Sequence, residues 1–248
     1  MRRMLIVAGR VARQILKDHR FLALSIVAPL LIIYFLKITI DALTPVGRGG
    51  VYDGLVMPMV STIVFFLGYV LCSLALVRER TSMTLSRMFV AGYRRGEIVG
   101  GYFLGFAGLA SAQAALAMGE AYKVFSLSYS RHTLADIFLV IWLMAIVSLS
   151  LGILVSNAAR TEGQVVPFIP LVLLPSIFLS GVLTNGVDRL PVWAQHLSRI
   201  VPLRYAGDAI TGLVRGNGLR AQATTLWELL AIGLALLFIA AVTLRDQE

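Results

Sequence analysis

Charge is scarce in this chain. Asp, Glu, Lys and Arg make up 14% of its 248 residues, where a soluble domain carries roughly 25%. Apolar residues make up 58%, too many for the polar remainder to clothe a water-facing globule. A membrane protein is the class that remains. Other absences narrow it. Cys72 is the one cysteine, so no intrachain disulfide forms, and its place in a span says nothing about redox compartment. No His/Cys cluster has metal-ligand spacing, no Gly-x-Ser-x-Gly occurs and no carboxylates pair, which argues against an embedded enzyme. Gly47-Arg48-Gly49-Gly50 lacks the Lys-Ser/Thr ending of a phosphate loop, so no ATP site is expected in this chain. No repeat, linker or low-complexity segment stands out.

What is present is a series of apolar runs of about 20 residues. Six spans are expected: 21–40, 57–76, 101–119, 137–155, 164–183 and 226–244. The expected fold is an all-α membrane protein, one domain over 1–248, with no connection long enough for a soluble catalytic unit. No carboxylate or histidine lies deep in a span, which weighs against an ion-coupled carrier. No small-residue cleavage site follows the first span, so it is expected to stay in the membrane.

The net charge of +9 raises the question of nucleic acid, but its distribution answers otherwise. The N-terminal tail carries six Lys/Arg, the 41–56 connection one and the 77–98 connection five. The positive-inside rule places both termini and 77–98 in the cytoplasm. The 184–225 connection, with five arginines, then lies outside against the rule, which is weak for long loops.

Three segments have faces. In 1–20, Met4, Val7, Ala8, Val11, Ala12 and Ile15 share one helical arc and basic residues the opposite one, the pattern of a helix along an anionic leaflet; Ile6 breaks it. In 80–92, Leu85, Met88 and Phe89 fall at i, i+3, i+4, with Thr81 or Ser82 to cap the start and Gly92 to end it. In 184–225, after a turn at Asn185, Pro191 opens a stripe of Trp193, Leu197, Ile200 and Val201. Pro202 breaks it, and Ala206, Ala209, Ile210 and Leu213 make a second. Two short helices are expected there as a hairpin at the outer interface, with Trp193 and Tyr205 at headgroup level and Arg189, Arg199, Arg204 and Arg215 reaching phosphates; a folded external cap is the alternative.

Polar and proline residues in the spans carry two readings each. Gln113 either joins helices or faces a path, and Phe65, Phe66, Tyr69 and Phe106 either line a path or pack. Lys37 is expected to reach the interface and pair with Asp41, and Thr225-x-x-Glu228 to form a capping box. Pro167, Pro170 and Pro175 predict a bent fifth span buried against its neighbours.

With these segments in view, the chain resembles a permease of the ATP-binding-cassette type-2 transporter family, near its drug- and lipid-export branch. "RERTSMTLSRMFVAGYRRGEIVGGYFLG" resembles the family's loop between spans two and three, through Arg78-Glu79-Arg80, Thr84-Leu85, Glu97 and Gly101-Tyr102. "FLSGVLTNGVDRLPVWAQHLSRIVPLRYAGDAI" resembles its last external segment, through Ser180-Gly181, Leu190-Pro191, Trp193, Pro202-Leu203, Tyr205 and Asp208-Ala209. Residues 1–36, with Asp18-x-Arg20 and Pro29, agree more loosely. Met83 stands where the family often has Gly, Ala91-Gly92 where a Pro is common, and Arg204 where it usually has Thr. The resemblance implies a membrane subunit, not itself an enzyme, in the plasma membrane of a prokaryote. It implies pairing with a second permease subunit and with two ATPase subunits that bind ATP and Mg. Glu79, Arg80, Thr84, Leu85, Met88 and Phe89 would then form a coupling helix against the ATPase; a helix resting on the protein's own surface is the alternative. Membrane lipid is an expected partner and nucleic acid is not. The implied activity is export of an amphipathic drug-like compound or lipid. A lipid-linked glycan is the alternative cargo, and an ATP-independent channel or carrier the alternative class.

Overall fold

The structure, a computed structural model, describes residues 2–43, 50–184 and 186–244. The Gly-rich stretch before Gly50 and the turn residue Asn185 lie outside them. Among the described residues regular structure is entirely helical, as expected. Helix α1 (Arg2–Lys17) passes through Asp18 into α2 (His19–Leu43). Then come α3 (Gly50–Thr81), the short α4 (Thr84–Val90), α5 (Arg95–Val124), α6 (Arg131–Ala158) and α7 (Glu162–Leu179). After a 3-10 turn at Val187–Arg189 come α8 (Val192–Ser198), α9 (Pro202–Val214), a second turn at Leu219–Gln222 and α10 (Ala223–Thr243). Helices α2, α3, α5, α6, α7 and α10 are long and apolar enough to cross a membrane, so all six expected spans have a helix. Two of them overrun their apolar windows. Because α3 runs to Thr81 and α5 starts at Arg95, the connection between them shrinks to 82–94.

The centre is α3, α5 and α6, where Phe65, Tyr69, Tyr102 and Met144 are fully buried. Apolar helices in lipid gain little from burial against each other, so close packing has to hold them. Glycine permits it. A Cβ on Gly152 of α6 would stand 2.8 Å from the Tyr69 carbonyl oxygen of α3. Ser73 Oγ crosses the same seam, 2.7 Å from Tyr69 O and 3.1 Å from Gly152 O.

The apolar arc of α1 is spent on protein. Val7, Ala8, Val11 and Ile15 are buried, and α1 lies along α5. A Cβ on Gly101 would fall 2.5 Å from Val7 Cβ, and one on Gly105 2.7 Å from Val11 Cβ. The large apolar residues of α1 left open are Leu5, Ile6 and Leu16, so its open apolar edge lies beside the arc the spacing selects. Gly101→Leu should therefore lift α1 from α5 and lower the melting temperature of the detergent-solubilised protein, at a cost of about 1–3 kcal/mol. Gly108→Leu, where an added Cβ meets nothing within 4 Å, should leave it unchanged. Equal melting temperatures for the two variants would refute the seam.

Two local expectations need correction. Helix α7 is not buried by this chain: 11% of its membrane window is covered, against 72% for α3. It touches α3, α6, α8 and α9 and leaves Val166, Leu171, Leu174 and Phe178 exposed. Thr225 is not a cap either. Helix α10 begins at Ala223, so Thr225 lies within the first turn and Glu228 is an exposed residue of the next. The pair expected at the end of the first span does form, with Lys37 Nζ 3.0 Å from Asp41 Oδ2.

Candidate coupling surface

Helix α4 hangs between two central helices. Its start is a tight turn in which Met83 takes φ +60°. A side chain costs roughly 1–2 kcal/mol in this left-handed region, which gives a physical reason for glycine at the position. Thr81 and Ser82 do not cap α4. Their hydroxyls turn back to the last carbonyls of α3, Thr81 Oγ1 to Arg78 O and Ser82 Oγ to Glu79 O, each at 3.0 Å. Gly92 ends the helix as its type predicts, at φ +75°, with Tyr93 N–H donating to Met88 O at 3.1 Å. Glu97 then accepts Arg94 N–H at 2.9 Å and starts α5. Met83→Gly should relieve the turn by roughly 0.5–1 kcal/mol. The check is hydrogen exchange on the chain alone, where the α4 amides should exchange more slowly; faster exchange would show that Met83 contributes more than its backbone costs.

The stripe that the spacing selects faces inward. Leu85 is 5% exposed and lies among Leu76, Ile98, Val99 and Leu244. Met88 and Phe89 are half-buried against the same core, and Thr84 is half-buried. The open apolar side chains of this segment are Met83, 60% exposed, and Val90, 89% exposed. With the exposed Arg87 they stand at i, i+4, i+7, on the other side of the helix. That second spacing is the sequence signal for the free face.

Glu79 and Arg80 are also turned inward. Glu79 Oε2 accepts from Arg10 Nη2 at 2.8 Å and from the Tyr102 hydroxyl at 2.8 Å, and Arg10 Nη2 reaches that hydroxyl at 2.6 Å. Burial disfavours the Arg10 charge, but the Tyr102 and Glu79 oxygens outweigh it and raise the guanidinium pKa above its ordinary value. This cluster joins α1, α3 and α5. Arg80 Nη1 donates to Ser156 O at 2.9 Å and Ala159 O at 3.3 Å, while Nη2 meets Asn157 Oδ1 at 3.1 Å. It satisfies carbonyls that the end of α6 leaves without amide partners. Asn157 Nδ2 continues the link to Ala240 O on α10, at 2.8 Å. Both residues are committed within the chain, so the free surface is Met83, Arg87 and Val90. Arg3 ties it to α1, donating to Gly92 O at 2.7 Å and lying 5.5 Å from the Tyr93 ring centre.

At the opposite end, Pro191 precedes α8, whose Trp193 is 65% exposed, and Ile200 beyond it is 73% exposed. Pro202 and Leu203 open α9 and are buried, and the second stripe, Ala206, Ala209, Ile210 and Leu213, packs into the core against α3, α6 and α10. Of the first expected interfacial stripe Trp193, Leu197 and Ile200 are open while Val201 is buried, and the second stripe is buried throughout. Arg204 is not free for phosphate: Nη1 donates to Ser198 Oγ at 2.7 Å and Nε lies 3.6 Å from Asp208 Oδ2. Tyr205 donates its hydroxyl to Arg199 O at 2.6 Å. The path candidates are packed within the chain to different degrees. Phe65 and Tyr69 stack in the core with ring centres 6.4 Å apart, Phe66 is half-buried, and Phe106 is 3% exposed. Gln113 Nε2 donates to Ser25 O at 3.0 Å and so joins α5 to α2.

Among the described residues, six membrane-length helices, a short helix slung between the second and third, and a helical pair ahead of the last define a multi-pass membrane protein. The family profile described as ABC-2 type transporter matches residues 2–214. The chain belongs to the ABC-2 type transporter family. It is 29% identical over 199 residues to ABC transporter G family member 20 of Dictyostelium discoideum, covering 79% of this chain and 27% of that protein. It is 26% identical over 186 residues to the probable multidrug ABC transporter permease YbhR of Escherichia coli strain K12, covering 73% and 49%. With the linearmycin resistance permease protein LnrN of Bacillus subtilis it shares 23% over 168 residues, covering 68% and 41%. The chain therefore spans half or less of the length of these relatives.

Proposed function

We propose that this chain is the membrane subunit of an ATP-driven exporter of amphipathic compounds, drug-like molecules or lipids. Two separate ATPase subunits would bind ATP and Mg, and a second permease subunit would complete the path. The observation that carries the reading is the free face of α4. Met83 and Val90 are apolar and open in a loop rich in arginine, on a helix whose other face is anchored in the core. Two large apolar side chains left open on one face forgo about 1.5–3 kcal/mol each of burial, which supports a partner that covers them. Basic side chains around them, Arg87, Arg94 and Arg95, suit an acidic rim on the ATPase. The distribution of Lys and Arg puts this end of the bundle in the cytoplasm, where ATP is found. The names of two relatives, a probable multidrug permease and a linearmycin resistance permease, support a drug-like cargo.

Helix α7 supports the second subunit. Its three prolines remove amide donors, and irregular backbone in lipid persists where protein covers it. The described residues of this chain do not supply that cover, and a second copy or a related permease would. The test is purification of the native complex in mild detergent. An ATPase with a phosphate loop should co-purify, and ATP hydrolysis should follow that subunit. Hydrolysis or micromolar nucleotide binding by this chain alone, free of contaminating ATPase, would end the assignment.

A further inference from the structure

At the α1 end of the bundle, a cavity of about 490 Å³ opens between α1, α2, α3 and α5. We propose that it holds one glycerophospholipid of net negative headgroup from the adjacent leaflet. This is a resident lipid site, and it goes beyond the transport reading.

The walls are apolar: Phe21 and Leu24 of α2, Leu71, Leu74 and Ala75 of α3, and Phe106 of α5. From Leu71 to Arg78, α3 rises about 10 Å, enough wall for the upper part of an acyl chain. The volume lies in the range of roughly 300–1,000 Å³ typical of ligand cavities. The polar lining is Gln14, Asp18, Arg20, Arg78 and Glu79, at or next to the ends of α1, α2 and α3, with the Tyr102 hydroxyl of α5. An apolar slot with a charged mouth at the end of the spans matches an amphiphile lying with its head at the interface.

The sign of the headgroup follows from which charges are already used. Glu79 is taken by Arg10 and Tyr102. Asp18 accepts Phe21 N–H at 3.0 Å and lies 3.6 Å from Arg78. Arg78 also meets Glu162 at 3.1 Å, an exposed pair. Arg20 has no hydrogen-bond or ion-pair partner among the described residues. The carboxylates at the mouth are thus satisfied and a cation is spare. Arg13 and Lys17 nearby on α1 are also exposed, and so is Leu16, which sets α1 at lipid level. A phosphate diester at the mouth would find Arg20 unopposed.

The test uses the full chain, delipidated in detergent and titrated with phosphatidylglycerol or phosphatidylcholine, with bound lipid counted by native mass spectrometry. One phosphatidylglycerol per chain should bind, and phosphatidylcholine more weakly. Arg20→Gln, an exposed change that leaves the helix intact, should weaken phosphatidylglycerol about fivefold. Ala75→Phe, which fills the slot without touching charge, should remove the bound lipid. Inorganic phosphate at millimolar concentration should not displace it. Equal binding of the two lipids, or unaltered phosphatidylglycerol binding in Arg20→Gln, would overturn the proposal. Displacement by inorganic phosphate would also do so, because it would reduce the site to a free-anion site. These readouts do not involve ATP or cargo, so their failure is distinct from failure of the exporter assignment.

Discussion

Val90→Asp should abolish ATP-driven transport while the protein remains folded in its membrane. Val90 is 89% exposed in the isolated chain, so the substitution disturbs nothing inside. If the ATPase covers it, two effects add. Burial of a Val-sized side chain, worth about 1.5–3 kcal/mol, is lost. A carboxylate is also driven into a contact with no partner, which costs several kcal/mol more. Docking should weaken a hundredfold or more, read as loss of the ATPase from the co-purified complex. Leu85→Asp should behave differently, because Leu85 belongs to this chain's own core: the free chain itself should melt lower. Phe89→Asp, at a half-buried site, should show both defects. A Val90→Asp protein that keeps its ATPase and transports normally would remove this face of α4 from the coupling surface.

Glu79→Ala should lower the stability of the free chain by about 1.5–3 kcal/mol, less than for a fully buried pair because the Arg10 side chain left behind is 36% exposed. The carboxylate side chain is 7% exposed and takes two hydrogen bonds on one oxygen. Its removal leaves the Arg10 charge without a counter-ion and the Tyr102 hydroxyl without its acceptor. Tyr102→Phe should cost less, about 1 kcal/mol, since Arg10 and Glu79 still meet directly. Arg78→Ala is the control. Arg78 contacts Asp18 and Glu162, but its side chain is 58% exposed, and such pairs contribute about 0–1 kcal/mol. Thermal unfolding in one detergent ranks the three. If Arg78→Ala costs as much as Glu79→Ala, the buried cluster is not what fastens α1 to the core.

The parts legible in the sequence are those written in length and period. Apolar runs of span length gave six helices, and a three-then-four spacing gave α4. Gln113 as a helix-joining group was one of two open readings, and the bond to Ser25 selects it. The errors share a cause. Spacing shows that Leu85, Met88 and Phe89 form a face, but not whose surface covers it. Charge beside a loop suggests exposure, yet Glu79 finds Arg10 and Tyr102, 69 and 23 residues away, and no local pattern encodes such a meeting. The hydroxyls of Thr81 and Ser82 had two helix ends within reach, and the unpaired carbonyls of α3 took them. Spacing alone sets the arc of α1 against lipid, because nothing in residues 1–20 discloses that Gly101 and Gly105 clear a track for it on α5.

The bareness of α7 has a consequence for how the protein is made. Pro167, Pro170 and Pro175 leave the carbonyls of Gly163, Val166 and Leu171 without the amide four residues on. Leaving the translocation machinery, this segment must partition into lipid with three acceptors unmatched, each a penalty that a leucine-rich span of the same length does not meet. Its three internal prolines set it apart from α2 and α3, which carry one each. If a second permease subunit covers α7, as proposed, a chain made in excess of that partner should be degraded faster than a paired one, and pulse-chase with and without the partner would read the difference.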